Sequence, residues 1–316
     1  EGDKGFVKAL MPIVFGADAD TGDLIDGLQT PGGTGAVRLA VALAELAGVT
    51  RVHLGAPSWP NHVPIIEDVG LEAVTFSHSN DDGSADIDAL LEVIRAGGEG
   101  DAVLIHACCH NPTGVDYSAE QWDAIADALS TSPVLPIIDS AYQGLGEGLE
   151  EDAAGLRKVL AKVPYALVAY SCDKNFGLYR DRVGAFYIKV AKADDMGPAL
   201  SNAAALARAN WSMPPDHGAA TVRIVLSDEG LRKTWLTELE SMRKRLRWVR
   251  AYLAGADNKV EGVPLAHLEE QNGLFAMLPL NKDQIGRLKT DHGVYMAGSG
   301  RINIAGLTKG NIDKFI

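Results

Sequence analysis

The stretch AVLIHACCHNPTGVDYSAEQWDAIADALSTSPVLPIIDS, residues 102–140, contains one full cycle of the pattern that organises the chain. An apolar run (102–109) ends at the turn Asn-Pro-Thr-Gly. An amphipathic stretch follows, opened by Ser118 with Gln121 three residues on, which is a helix capping box. A second apolar run, 135–140, closes the cycle. Further apolar runs lie at 51–56, 72–77, 166–171 and 183–190, and AVRLAVALAELAG (36–48) has helical periodicity. Strand–helix alternation of this kind predicts an α/β fold whose mostly parallel sheet carries helices on both faces. Ligands in such sheets sit beyond the carboxyl ends of the strands.

From about Leu231 the texture changes. A long, charge-rich helix (231–255) leads into the strand-like LFAMLPL and the segment GRINIAGL. The expected organisation is a large domain over 1–238 and a smaller α+β domain over 239–316, joined by that helix. With 47% hydrophobic and 22% charged residues among 316, the composition is that of an ordinary water-facing protein. A net charge of −13 argues against nucleic acid or a membrane surface as the main partner. No apolar run approaches ~20 residues, and no signal peptide opens the chain. Three cysteines, two of them adjacent, form no disulfide framework and suit a reducing cytoplasm.

HACCH, 106–110, has the spelling of a metal site. Zinc favours Cys pairs two to four residues apart with a second ligand pair elsewhere. Cys108 and Cys109 are adjacent, and no other Cys pair completes a set, so no metal is expected. The two histidines and two cysteines read as strand packing and support, and Asn111 is the residue placed to face a ligand. Gly32, Gly33, Thr34 and Gly35 run directly into a helix, where free backbone N–H groups can cradle a phosphate. Asp139 ends a buried strand, where an unpaired carboxylate is costly unless a cationic ring nitrogen answers it; Tyr142 could bond the same ligand. Lys174 follows another apolar strand beside Arg180 and Arg182, a setting that lowers an amine's pKa and suits Schiff-base chemistry. Each feature alone has an ordinary structural explanation.

Together, in order, QTPGGTGAVR, APSWPNH, CCHNPTG, DSAYQG, SCDKNFGLYRDRVG, ARANWSMPP and GRINIAGL closely resemble the class I aspartate/aromatic aminotransferases. The resemblance runs from about Phe15 to the C-terminus and implies the aspartate aminotransferase fold with pyridoxal phosphate (PLP) as cofactor. It implies that Lys174 holds PLP and shuttles the proton, and that Asp139 keeps the pyridine nitrogen protonated with His62 behind it. Tyr142 and Asn111 would bond the ring oxygen, and Trp59 would stack on the ring. Gly33, Thr34, Ser171 and Arg182 would hold the phosphate. Arg301 would grip the substrate α-carboxylate. Arg208 would reach the neighbouring subunit's site and pair with a distal carboxylate, which implies a homodimer with shared sites. The expected activity is ping-pong transfer of an amino group from aspartate or an aromatic amino acid to 2-oxoglutarate or oxaloacetate.

Two residues depart from the family pattern. Asp173 stands where the family often has serine, and its charge would repel a phosphate unless it pairs with Arg180 or Arg182. Met213 stands where asparagine is frequent. The resemblance also implies an N-terminal arm before Glu1 and a completed helix after Ile316, both expected to belong to the protein. A PLP-dependent lyase and a catalytically silent PLP binder are the rival readings; Arg208 and the unbroken motif set count against them.

Overall fold

The structure, a computed structural model, describes residues 2–17, 19, 21–256 and 263–316. Seven strands form the main sheet: β1 (Ile25–Pro31), β2 (Arg51–Ala56), β3 (Glu72–Ser77), β4 (Asp101–His106), β5 (Leu135–Ser140), β6 (Ala166–Ser171) and β7 (Val183–Lys189). Their order is β1-β7-β6-β5-β4-β2-β3. β3, β2, β4, β5 and β6 run parallel, while β7 and β1 are antiparallel to their neighbours. The mostly parallel sheet is therefore as expected.

Every residue of β4 and β6 is buried, the signature of strands covered on both sides. Alternate side chains divide between two cores. Val103, Ile105 and Ile138 face one, which takes in α1 (Lys4–Phe15), α5 (Ala119–Ser130) and α6 (Glu151–Lys162). Ala102, Leu104 and Ile137 face the other, which takes in α2 (Gly32–Leu46), α3 (His62–Val69) and α7 (Ala193–Trp211). Leaving β2 the chain turns to α3 on one face; leaving β4 it turns to α5 on the other. The carboxyl ends of these neighbouring strands therefore open a crevice.

Around the sheet also lie α4 (Ile87–Ala96) and α8 (Asp216–Ser227), followed by the 26-residue α9 (Glu229–Ala254), whose first turn is capped by Asp228. Beyond α9, β8 (Phe275–Met277) and β9 (Arg301–Asn303) pair antiparallel, with α10 (Lys282–His292) between them and α11 (Ile312–Phe315) after. Arg250 of α9, only 1% exposed, donates to the carbonyls of Asn272 (2.8 Å), Gly273 (3.0 Å) and Phe275 (2.7 Å). Asn272 N–H in turn donates to the Gly114 carbonyl at 2.8 Å. One buried guanidinium thus fastens the C-terminal sheet to the Asn-Pro-Thr-Gly turn. Among the described residues no helix is long and apolar enough to cross a membrane.

At the opposite, amino end of the sheet, Asp101 is 1% exposed and accepts from Arg51 Nε (2.8 Å), His53 Nε2 (2.9 Å) and the Gly98 N–H (2.8 Å). Burial alone would raise its carboxyl, but the Gly98, Arg51 and His53 bonds outweigh it and hold the pKa at about 2. A depressed carboxyl contributes stability above its unfolded pKa, and that contribution is lost as pH falls through the folded value. Asp101→Asn is expected to cost ~2 kcal/mol, allowing for solvent screening of half-exposed Arg51. A lower urea midpoint at pH 7, with the gap to wild type closing toward pH 2, would bear this out. An unchanged midpoint at pH 7 would refute it.

Candidate active site

The crevice holds a cleft of about 310 Å³ lined by Gly33, Thr34, Trp59, Asn111, Asp139, Tyr142, Lys174, Arg182 and Arg301, along with residues named below. Trp59 follows β2, Asn111 follows β4, Tyr142 follows β5 and Lys174 follows β6; Asp139 is the penultimate residue of β5. The carboxyl edge of the main sheet, with Gly33 of α2 and Arg301 of β9, gathers groups up to 268 positions apart in sequence.

Asp139 is 5% exposed, and its Oδ2 accepts from His62 Nε2 at 3.1 Å. His62 opens α3 fully buried, with Ser58 Oγ 2.8 Å from its Nδ1. Burial would push the Asp139 carboxyl up, but the His62 bond and the positive charge around it win, holding the pKa below the usual value. Lys174 is half-buried, with Nζ 5.2 Å from the Tyr142 ring centre. Burial lowers its amine pKa and Arg182 adds to this, against the opposing pull of Asp173 and Asp139. Asn111 Nδ2 donates to Tyr142 Oη at 3.1 Å, and Arg301 Nη1 donates to Asn111 Oδ1 at 3.3 Å. The Arg301 guanidinium lies over the Phe275 ring, 4.8 Å from its centre. Burial, reinforced by the Asp139 charge, pushes the Tyr142 phenol up.

Gly33 lies in the first turn of α2, whose N-cap, Pro31, offers no side-chain bond, so the leading N–H groups are left to a ligand. A Cβ on Gly33 would come within 2.8 Å of Ser171 Cβ at the end of β6. The start of α2 can approach the end of β6 this closely only because that position is glycine. Asp173 is 2% exposed and pairs with Arg182, and its other oxygen accepts from the Val183 N–H at 3.1 Å. Of the two partners open to it, it takes Arg182 rather than Arg180.

Not every predicted residue enters the cleft. Ser171 and His62 stand behind the lining, and Arg208 is exposed on α7 and does not line the cleft. Met213 is 68% exposed. His106, Asp173, Tyr179 and Phe275 also line the cleft and were not singled out as ligand contacts. The buried Nε2 of His106, a residue of the cleft lining, has no hydrogen-bond partner. The metal question raised by HACCH finds no support in the donor chemistry. Cys108, Cys109 and Asp152 cluster, but both Asp152 oxygens accept backbone N–H groups, and burial pushes the Cys109 thiol up to about 12. His62 and Asp139 already engage each other in the other cluster, which His106 completes.

The profile of the family "Aminotransferase class I and II" matches residues 2–316. The chain belongs to that family. It is 46% identical to the tyrosine aminotransferase of Rhizobium meliloti (strain 1021), over 97% of this chain and 79% of that protein. It is 42% identical to the aspartate aminotransferase of Escherichia coli (strain K12), over 90% of this chain and 72% of that one. A solved aromatic-amino-acid aminotransferase from Burkholderia pseudomallei, covalently bound to pyridoxal phosphate, superposes with a TM-score of 0.95. That structure is 33% identical, over 99% of this chain and 80% of the other. The aminotransferase is therefore a PLP enzyme that exchanges an amino group between an amino acid and a 2-oxo acid. The cleft fits that cofactor: it has a buried carboxylate, an amine of lowered pKa, an unpartnered imidazole nitrogen and a glycine cradle at a helix N-terminus.

Proposed function

We propose that Lys174, Asp139, Tyr142, Asn111 and Arg301 carry the transamination in this cleft. The observation behind this is the convergence of a lowered-pKa amine, an ionised buried carboxylate and a bridged guanidinium on one space. Bound PLP supplies a conjugated ring that takes up the electron pair left when an amino acid's Cα loses its proton. Lys174 Nζ takes that proton and returns it. Asp139 holds a proton on the ring nitrogen, supported by His62. Asn111, Tyr142 and Trp59 would hold the ring, and Gly33, Thr34, Ser171 and Arg182 would hold the phosphate. Arg301, oriented by Asn111 Oδ1 and Phe275, binds the α-carboxylate with both arms of its fork.

The enzyme acts as a cytoplasmic homodimer in which Arg208 enters the partner's cleft and pairs with the distal carboxylate of aspartate or a dicarboxylic 2-oxo acid. Its exposure on α7, outside the lining of its own cleft, fits that reading. Residues 239–316, which carry Arg301, act as a small domain that brings the arginine to the substrate. The tyrosine and aromatic enzymes among the relatives favour aromatic amino acids as the second substrate class. With 2-oxoglutarate as acceptor, Arg208→Leu is expected to lower kcat/KM for aspartate ~10²- to 10³-fold, and for phenylalanine and tyrosine much less. Equal losses for all three would sink the assignment.

A further inference from the structure

The phosphate cradle contains an anion of its own. Asp173 is buried, lines the cleft, and has both carboxylate oxygens engaged, one by the Val183 N–H at 3.1 Å and one by Arg182 Nη1. The same Nη1 donates to the Tyr179 carbonyl at 3.0 Å, so one arm of the Arg182 fork is already occupied. Gly32, with φ +73°, lies where these groups meet. A Cβ there would strike the Arg182 guanidinium and come within 3.0 Å of Asp173 Oδ2. Asp173, Arg182 and the leading N–H groups of α2 thus share one small space, and a phosphate seated on those N–H groups meets the carboxylate at close range. A guanidinium arm already committed to Asp173 and to the Tyr179 carbonyl leaves the phosphate fewer N–H donors.

We propose that Asp173 is a resident counter-anion that shares Arg182 with the cofactor's phosphate and so weakens the enzyme's hold on that phosphate. Asp173 touches none of the reacting atoms in this account; it acts through Arg182. The consequence is a cofactor that exchanges readily and yields to inorganic phosphate. The inference rests on the phosphate-cup reading above, and the test separates the two.

Holoenzymes of wild type, Asp173→Asn, Asp173→Ser, Arg182→Gln and the Asp173→Asn/Arg182→Gln double variant would be dialysed against inorganic phosphate. Retained PLP would be followed by its visible absorbance. Both Asp173 variants are expected to retain cofactor at least ~10-fold longer than wild type, and the gain should vanish when Arg182 is glutamine. Shorter or unchanged retention in both Asp173 variants would overturn the proposal, making Asp173 the residue that orients Arg182 or a bystander. If neither variant yields folded protein, Asp173 is an anchor of the turn before β7 and the proposal also fails. Arg182→Gln alone reports on the cup: unchanged retention there refutes the cup assignment itself, whereas shortened retention with inert Asp173 variants refutes only the counter-anion.

Discussion

Lys174→Ala is expected to reduce turnover by roughly four orders of magnitude or more, because it removes both the covalent anchor and the acid/base group. The loss should be chemical rather than structural. Lys174 is half-buried, and its Nζ makes no hydrogen bond or ion pair among the described residues, so circular dichroism and the thermal transition should stay near wild type. Lys174→Arg keeps the positive charge but has a pKa above ~12, so it gives up no proton at working pH and should be nearly as inactive. The pH dependence has a definite sign. Burial and Arg182 lower the Lys174 pKa below its ordinary 10.5. The free amine, present once substrate has taken its place on the cofactor, therefore accumulates at lower pH than on an exposed lysine, and kcat should rise along a limb lying below 10.5. That limb should be missing from the residual rate of Lys174→Ala. Wild-type turnover in the alanine variant would end the assignment.

Much of this fold was legible because short apolar runs alternating with amphipathic stretches announce themselves. The apolar runs at 51–56, 72–77, 135–140 and 166–171 coincide with β2, β3, β5 and β6. β1 was not visible in the sequence: IDGLQTP has neither an apolar run nor alternation. It is a strand because β7 offers it a partner, and Gly27 permits the approach, since a Cβ there would press on the Phe186 carbonyl. The run 102–109 promised a strand reaching three residues past the end of β4 at His106. The cause is Asp116, whose carboxylate accepts the Cys109 and His110 N–H groups at 2.8 and 2.9 Å and turns the chain, with Cys109 at φ 52°. Side chain–backbone bonds of that kind leave no periodic trace. For the same reason Arg250 was hidden. It stands among several cations of a charge-rich helix, and only the packing of the loop over residues 268–275 distinguishes it. The candidate site was legible as ordered motifs; its depth and its charge pairing, Asp173 to Arg182 above all, required coordinates.

Asp139→Asn should lower kcat by about 10³-fold while leaving the fold intact. Asparagine matches the shape of aspartate and can still accept from His62, so what is lost is the charge. A cation and a carboxylate ~4 Å apart at an effective dielectric near 20 interact by about 4 kcal/mol, which corresponds to about three powers of ten in rate. That attraction counts fully only if the carboxylate stays ionised in a site where burial opposes ionisation. His62 is what secures it, because its bond to Oδ2 heads the influences holding the Asp139 pKa down. Removing His62 lets the burial effect prevail and raises the carboxyl pKa. His62→Ala should therefore keep much of its activity at alkaline pH and lose it progressively in acid, its acid limb lying above that of wild type. Asp139→Asn should have no such limb, being slow at every pH. The pair separates an electrostatic role from a packing role: a cavity left by His62→Ala would by itself depress rates without moving a limb. If His62→Ala leaves the acid limb in place, or Asp139→Asn retains wild-type kcat, then the carboxylate at the end of β5 does not serve the ring nitrogen and the polarity of the cleft must be assigned anew.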